Sequence, residues 1–156
     1  MKQMSELDQL TAINPADIRR SAMDLLARRE HSRRELRDKL KRRYDAPDLI
    51  DETLDRLADE NLQSDQRFTE SFLRQRMSRG HGPVRIRQEA RQKGISDTEI
   101  RAAMEAEQPD WFTLAKETYQ RKFGALPAED IKEKARRSRF MQYRGFGLDH
   151  YQHLVE

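Results

Sequence analysis

An ungapped shift of fifty residues lays about two thirds of this 156-residue sequence on itself, and that internal repeat restricts the fold more than any other feature. Apolar positions coincide: Ile18 falls on Phe68, Ala22 on Phe72, Met23 on Leu73, Leu36 on Ile86, Leu40 on Ala90, Ile50 on Ile100 and Leu54 on Met104. Polar positions keep the same register, with Arg29 on Arg79, His31 on His81, Arg37 on Arg87, Lys41 on Arg91 and Arg43 on Lys93. A weaker third copy follows at an offset of fifty-one, where Lys93-Gly94-Ile95 meets Arg144-Gly145-Phe146 and Ile100 meets Tyr151. Each copy holds too few apolar residues to fold alone, so neighbours must stack, and the expected shape is an elongated, curved arc.

Within the copies, apolar residues recur every three or four positions, as in Ile18, Ala22, Leu25, Leu26 and in Phe112, Ala115, Tyr119, Phe123. Sustained two-residue alternation is missing, so the fold class is all-α. Asn14 followed by Pro15 reads as an N-cap with a first-turn proline, and Ser32 with Glu35 and Ser96 with Glu99 read as capping boxes. Pro47, Pro83 and Pro127 open helices likewise, while Gly94, Gly124 and Gly145 stand where a left-handed residue ends one. The prediction is nine helices, at 15–29, 33–43, 47–60, 65–79, 83–93, 97–107, 110–123, 128–144 and 148–155. They group into three tandem three-helix, helix-turn-helix-like repeats, 15–62, 63–108 and 109–156, behind a tail of residues 1–14.

Charged residues make up 38% of the chain and hydrophobic ones 35%, so the core is thin and a compact enzyme with a deep pocket is disfavoured. The net charge of only +3 hides a segregation. The middle of each repeat is basic: Arg33, Arg34, Arg37, Lys39, Lys41, Arg42 and Arg43 in the first, Arg74, Arg76, Arg79, Arg85, Arg87, Arg91 and Lys93 over residues 74–93 in the second, and Lys132, Lys134, Arg136, Arg137, Arg139 and Arg144 in the third. The helices after the first two are acidic, from Asp45 to Glu60 and from Asp97 to Asp110. Basic helices along one side of a stack suit a long polyanion or a charged filament, although basic and acidic helices side by side also simply neutralise each other.

Motifs for chemistry are missing. The lack of cysteine excludes disulfides, thiolate nucleophiles and cysteine-ligated metals. There is no Walker loop, GxGxxG, HExxH or GxSxG, so no catalytic residue, cofactor or enzymatic activity is expected. His31 and His81 read as structural histidines near exposed carbonyls at helix ends, and Asp149, His150 and His153 do not amount to a metal site. Trp111, Phe112, Tyr119 and Phe123 read as core. Glu6 and Asp8 interrupt any signal sequence, and no apolar run is long enough to span a membrane. The expectation is a cytoplasmic protein, monomeric because no apolar stripe is left over.

The stretch from Asp65 to Ile95 carries a longer pattern: Asp65-x-Arg67-Phe68, Phe72, Arg76, Gly80-x-Gly82, Arg85-Ile86, Glu89 and Lys93-Gly94-Ile95. It resembles the signature of the RecX family, regulators of the bacterial recombinase RecA. His31-Ser32-x-x-Glu35-Leu36-x-x-Lys39-Leu40 and Phe140-x-x-Tyr143-Arg144-Gly145 are also similar, so the resemblance runs from about Ile18 onward. Ala90 stands where leucine is usual, and Asn61-Leu62 replaces a usual Gly-Tyr, a turn that asparagine tolerates. The resemblance implies tandem three-helix repeats, no catalysis, and binding to the RecA filament on single-stranded DNA. There such proteins suppress ATP turnover, strand exchange and the co-protease activity behind the SOS response, and so modulate recombination and DNA repair. Arg37, Arg43, Arg76, Arg85, Arg87, Arg91 and Lys93 are the residues expected to make much of that contact, with Phe68, Phe72, Ile86 and Ile95 in the core. Two readings stand beside it: a basic helical DNA-binding module, whose weak nucleic-acid binding falls with salt, and a helical adaptor with no nucleoprotein partner.

Overall fold

The computed structural model describes residues 12–156; the calls on residues 1–11 of the proposed tail, Glu6 and Asp8 included, lie outside the described residues. Among the described residues there are nine helices and no strand: α1 Pro15–Arg28, α2 Arg33–Arg43, α3 Pro47–Asp59, α4 Asp65–Ser78, α5 Pro83–Gln92, α6 Asp97–Glu107, α7 Trp111–Phe123, α8 Ile131–Tyr143 and α9 Leu148–Val155. Two compact units contain them, one running to Asp65 and the other from Gln66 to Glu156.

In the first unit the apolar stripes of α1, α2 and α3 close on one core of Ile18, Ala22, Leu36, Leu40, Ile50, Leu54 and Leu57. The Asn14 carboxamide accepts from Ala16 N–H at 3.0 Å, satisfying one of the donors that a helix start leaves open, with Pro15 in the first turn. The capping box is complete: Glu35 N–H donates to Ser32 Oγ at 3.1 Å, and Ser32 N–H donates to Glu35 Oε1 at 3.1 Å. After α3 the chain turns at Asn61 with φ 59°, the left-handed conformation that asparagine's short polar side chain tolerates.

The second unit has two cores. Phe68, Phe72, Leu73, Ile86, Ala90, Ile95, Ile100 and Ala103 form one between α4, α5 and α6, and the Phe68 and Phe72 rings stack at 5.6 Å. Ala115, Tyr119, Met141, Phe146, Tyr151 and Val155 form the other between α7, α8 and α9. Trp111, partly buried, packs against both. The repeat pairs of the sequence are therefore packing pairs, with Ile18/Phe68, Leu36/Ile86, Leu40/Ala90 and Ile50/Ile100 all buried.

Three expectations are corrected. Pro127 does not open a helix: Asp130 caps α8, its carboxylate accepting from Glu133 N–H at 2.8 Å, and Arg137 holds the preceding segment by donating to the Leu126 carbonyl at 2.8 Å. Phe112 is 53% exposed rather than core. Ser96 accepts from Glu99 N–H at 3.1 Å, but only Ser32 carries the reciprocal bond of a full box.

Candidate partner-binding surface

Helix α2 is basic on a flank facing acidic α3, and much of that charge is spent internally. Arg33 pairs with Asp55 at 2.7 Å, and Arg37 Nε donates to Asp51 at 3.1 Å. Arg43 lies exposed at the end of the helix, its guanidinium 5.6 Å from the Tyr44 ring. Beside it a cleft of about 430 Å³ between α1 and α2 is lined by Arg28, Lys39, Arg42 and Arg43, with Asp24 as its carboxylate.

Position for position, α5 distributes its ions differently. Glu89 is gripped from two sides: Arg76 Nε donates to Oε2 at 2.7 Å and Arg85 Nε to Oε1 at 2.8 Å. Burial pushes the Glu89 carboxyl up, yet hydrogen bonding and charge from Arg85 and Arg76 prevail and hold it below its ordinary value. Arg76 also stacks over Phe72 at 4.8 Å, and Arg85 over Tyr143 at 5.1 Å. Both guanidiniums are thus committed to the unit's own structure, with side chains 19% and 28% exposed. Arg87 and Arg91, one turn apart, are exposed; Arg87 Nε donates to the Pro83 carbonyl at 3.3 Å and Arg91 Nε to Asp97 at 2.8 Å. Lys93 caps the end of α5, half-buried. The fold therefore gathers Arg76, Arg85, Arg87, Arg91 and Lys93 on or against α5, while Arg37 and Arg43 belong to the first unit.

The two repeat-related histidines also diverge. His31 Nδ1 bonds the Arg29 carbonyl at 3.1 Å, as a histidine at a helix end is expected to, and its Nε2 accepts from Lys39 at 2.9 Å. Burial lowers its pKa. His81 makes no such cap: its Nδ1 meets no hydrogen-bond partner among the described residues, and burial, followed by Arg85, pushes it down to about 4. At neutral pH it is an uncharged packing element.

His81 sits in the turn between α4 and α5, which packs against the third repeat. Gly82 N–H donates to the Arg144 carbonyl at 2.8 Å and Val84 N–H to the Gly145 carbonyl at 3.0 Å, while Arg144 Nη1 returns to the Arg79 carbonyl at 3.1 Å. The first donors of α5 are thus satisfied by backbone carbonyls sixty-odd residues away. This approach requires glycine on both sides: a Cβ on Gly82 would lie 2.5 Å from the Gly145 carbonyl carbon, and one on Gly145 (φ 95°) 2.3 Å from Arg85 Cβ. The motifs Gly80-x-Gly82 and Tyr143-Arg144-Gly145, distant in sequence, are two sides of one contact.

Sequence reasoning missed Arg137, which is buried in the third repeat and donates to the Tyr119 hydroxyl at 2.8 Å and to Glu133 at 2.9 Å. Its only sequence signal is the four-residue spacing from Glu133. Hydrogen bonds from Arg136 and Arg137 pull that carboxyl down to about 2. At the start of α9, His150 Nδ1 accepts from Gly147 N–H at 3.2 Å and the imidazole stands edge-on to Phe112, 5.0 Å away. No group of three or more His, Asp or Glu among the described residues is placed to hold a metal, and no described helix is long and apolar enough to cross a membrane.

Residues 19–57, 64–104 and 108–153 match the family models of the first, second and third three-helix domains of RecX. The chain is 48% identical over 136 residues to the regulatory protein RecX of Ectopseudomonas mendocina, covering 87% of this chain and 91% of that protein. It is 51% identical to the regulatory protein RecX of Pseudomonas savastanoi pv. phaseolicola, covering 86% and 87%. The crystal structure of RecX from Lactobacillus salivarius superposes with a TM-score of 0.70 at 22% identity, over 90% of this chain and 94% of that one.

Proposed function

This chain belongs to the RecX family, and from that premise we propose that it is a non-enzymatic regulator that binds the RecA filament on single-stranded DNA and inhibits its ATPase, strand-exchange and co-protease activities. It works as a cytoplasmic monomer of three repeats, with borders at 62/63 and 108/109, and so modulates recombination, DNA repair and the SOS response. The observation that carries this reading is the exposed cationic face of α5, Arg87 with Arg91 one turn on, in a chain whose close relatives are regulatory proteins. The ion pair of Arg91 with Asp97 is solvent-exposed, and such pairs exchange partners at little cost, so a carboxylate-lined groove competes well for that guanidinium. Within the second unit Lys93 extends the contact and Arg76 and Arg85 shape that surface from beneath, and Arg37 and Arg43 contribute cations from α2 of the first unit. Spanning several protomers multiplies these individually weak contacts.

Co-sedimentation with RecA assembled on single-stranded DNA tests the reading. The wild type is expected in the filament pellet, and a variant with Arg43, Arg87 and Arg91 all changed to Glu is expected to stay in the supernatant. A wild type that ignores the filament refutes the function, and a triple variant that still pellets refutes this surface. The cation-lined cleft between α1 and α2 favours a second reading, a basic helical DNA-binding module, which predicts equal pelleting with DNA alone and affinity falling steeply with salt.

A further inference from the structure

The arginines are not the whole of the surface. Around the Gly82–Gly145 contact the second unit exposes three apolar side chains: Val84, 42% exposed, Tyr143, 72%, and Leu148, 63%. Val84 N–H is bonded to Gly145 itself, Tyr143 precedes that glycine by two residues, and Leu148 opens α9 three residues after it. The backbone seam that locks the second repeat to the third therefore fixes all three in place. Single exposed apolar residues are ordinary, but three on one rigid junction form a patch. The Tyr143 ring is backed on one side by the Arg85 guanidinium at 5.1 Å, and Arg85 is itself anchored by Glu89. Arg139 stands one turn before Tyr143 on α8, exposed and with no ion pair among the described residues, and Arg87 is exposed on α5. The nearby Asp149 folds back toward the first turn of α9, its Oδ1 2.7 Å from where a Gly147 Cβ would sit. In the first unit the repeat partner of Val84 is the exposed Arg34.

We infer that this seam patch, Val84, Tyr143 and Leu148 with Arg85, Arg87 and Arg139 around it, is the apolar anchor of the docking surface, seated in a pocket of the RecA protomer that is rimmed by carboxylates. The inference rests on the proposed filament-binding function and adds to it the residues that hold the complex rather than steer it. A rigid tyrosine and a leucine flanked by guanidiniums have the composition of an interface hot spot, and a rim in which Arg85, Arg87 and Arg139 outnumber the exposed Asp149 favours an acidic protein surface. Rim charges govern encounter and salt dependence, whereas a desolvated apolar anchor acts at any ionic strength.

The test is the half-inhibiting concentration for RecA's single-stranded-DNA-dependent ATPase, at low and high salt, for wild type, Arg87→Ala, Tyr143→Phe and the double variant Tyr143→Ala/Leu148→Ala. Binding of each protein to free oligo(dT) and each urea midpoint are measured alongside. All the substituted side chains are exposed, so midpoints should match the wild type. The double variant should raise the half-inhibiting concentration about tenfold or more at both salts. Arg87→Ala should matter mainly at low salt, and Tyr143→Phe should behave as wild type. A double variant as potent as wild type overturns the anchor and leaves the function standing; a wild type that does not inhibit overturns both. A double variant that loses oligo(dT) binding in step with inhibition makes Tyr143 a base-stacking platform and also overturns the inference.

Discussion

Helices α2 and α5 occupy the same place in their repeats and begin with the same problem, backbone donors facing no helical acceptor, four in α2 and three in α5, whose Pro83 has no N–H, yet they solve it differently. Helix α2 is capped mainly by its neighbours in sequence: Ser32 and Glu35 exchange bonds and Arg29 clamps the Glu35 carboxylate at 2.9 and 3.1 Å, while Arg33 N–H reaches the distant Asp65 side chain at 2.8 Å. Helix α5 has Gly82 and Arg85 where α2 has Ser32 and Glu35, and takes its caps from Arg144 and Gly145. The charges turn round with it, since Glu35 and Lys39 in α2 correspond to Arg85 and Glu89 in α5; Glu35 pairs with Arg29 before the helix, whereas Arg85 pairs with Glu89 within it. One three-helix core tolerates either arrangement. The local cap leaves only the Arg33 N–H to an acceptor beyond the repeat, Asp65, whereas the remote cap turns the start of α5 into a backbone joint between repeats.

The sharpest way to break this contrast is Gly82→Ser, which gives α5 the capping residue of α2. If capping were local in both helices it should stabilise. Here a Cβ 2.5 Å from the Gly145 carbonyl carbon forces the backbones apart, so the expectation is a loss of about 3 kcal/mol or more in urea unfolding. Next comes Glu89→Ala, which strands the partly buried Arg76 and Arg85 and should cost about 2 kcal/mol. Because the folded carboxyl titrates below its ordinary 4.5, its contribution is complete above that pH and is lost as pH falls through the folded value; the variant should lack this acid loss.

His81 supplies a third, distinct window. The unfolded chain takes up a proton on this imidazole near 6.5, the folded protein only near 4, so the unfolded state holds more protons in between. The His81 contribution to stability should fall as pH drops from 6.5 to 4 and level off below, and His81→Gln should flatten that limb of the pH–stability profile. The smallest effect belongs to the local cap: Ser32→Ala should cost about 1 kcal/mol, and Ser32→Gly a few tenths, in the same unfolding assay.

What the sequence could reveal followed from periodicity and local chemistry. Helix starts at Asn14, Ser32 and Ser96 announce themselves within three residues, and the fifty-residue register named the core pairs because packing repeats with the backbone. The start of α8 was misread at Pro127, where Asp130, a stronger cap, and the reach of Arg137 to Leu126 decide the matter. The basic helices were visible as charge, but not which charges are free: Arg76 and Arg85 are drawn inward by Glu89, thirteen and four residues away, whereas Arg87 is turned outward. The exposure of Tyr143 and Leu148 depends on the Gly82–Gly145 contact, which brings together residues over sixty positions apart and leaves no local trace.

The most direct measurement is the single-stranded-DNA-dependent ATPase of RecA, titrated with this protein below the RecA protomer concentration while its binding to naked DNA is followed in the same buffer. The account predicts substoichiometric inhibition at protein levels that leave free DNA largely unbound. Inhibition that only tracks occupancy of the DNA, or no inhibition at all, would contradict it.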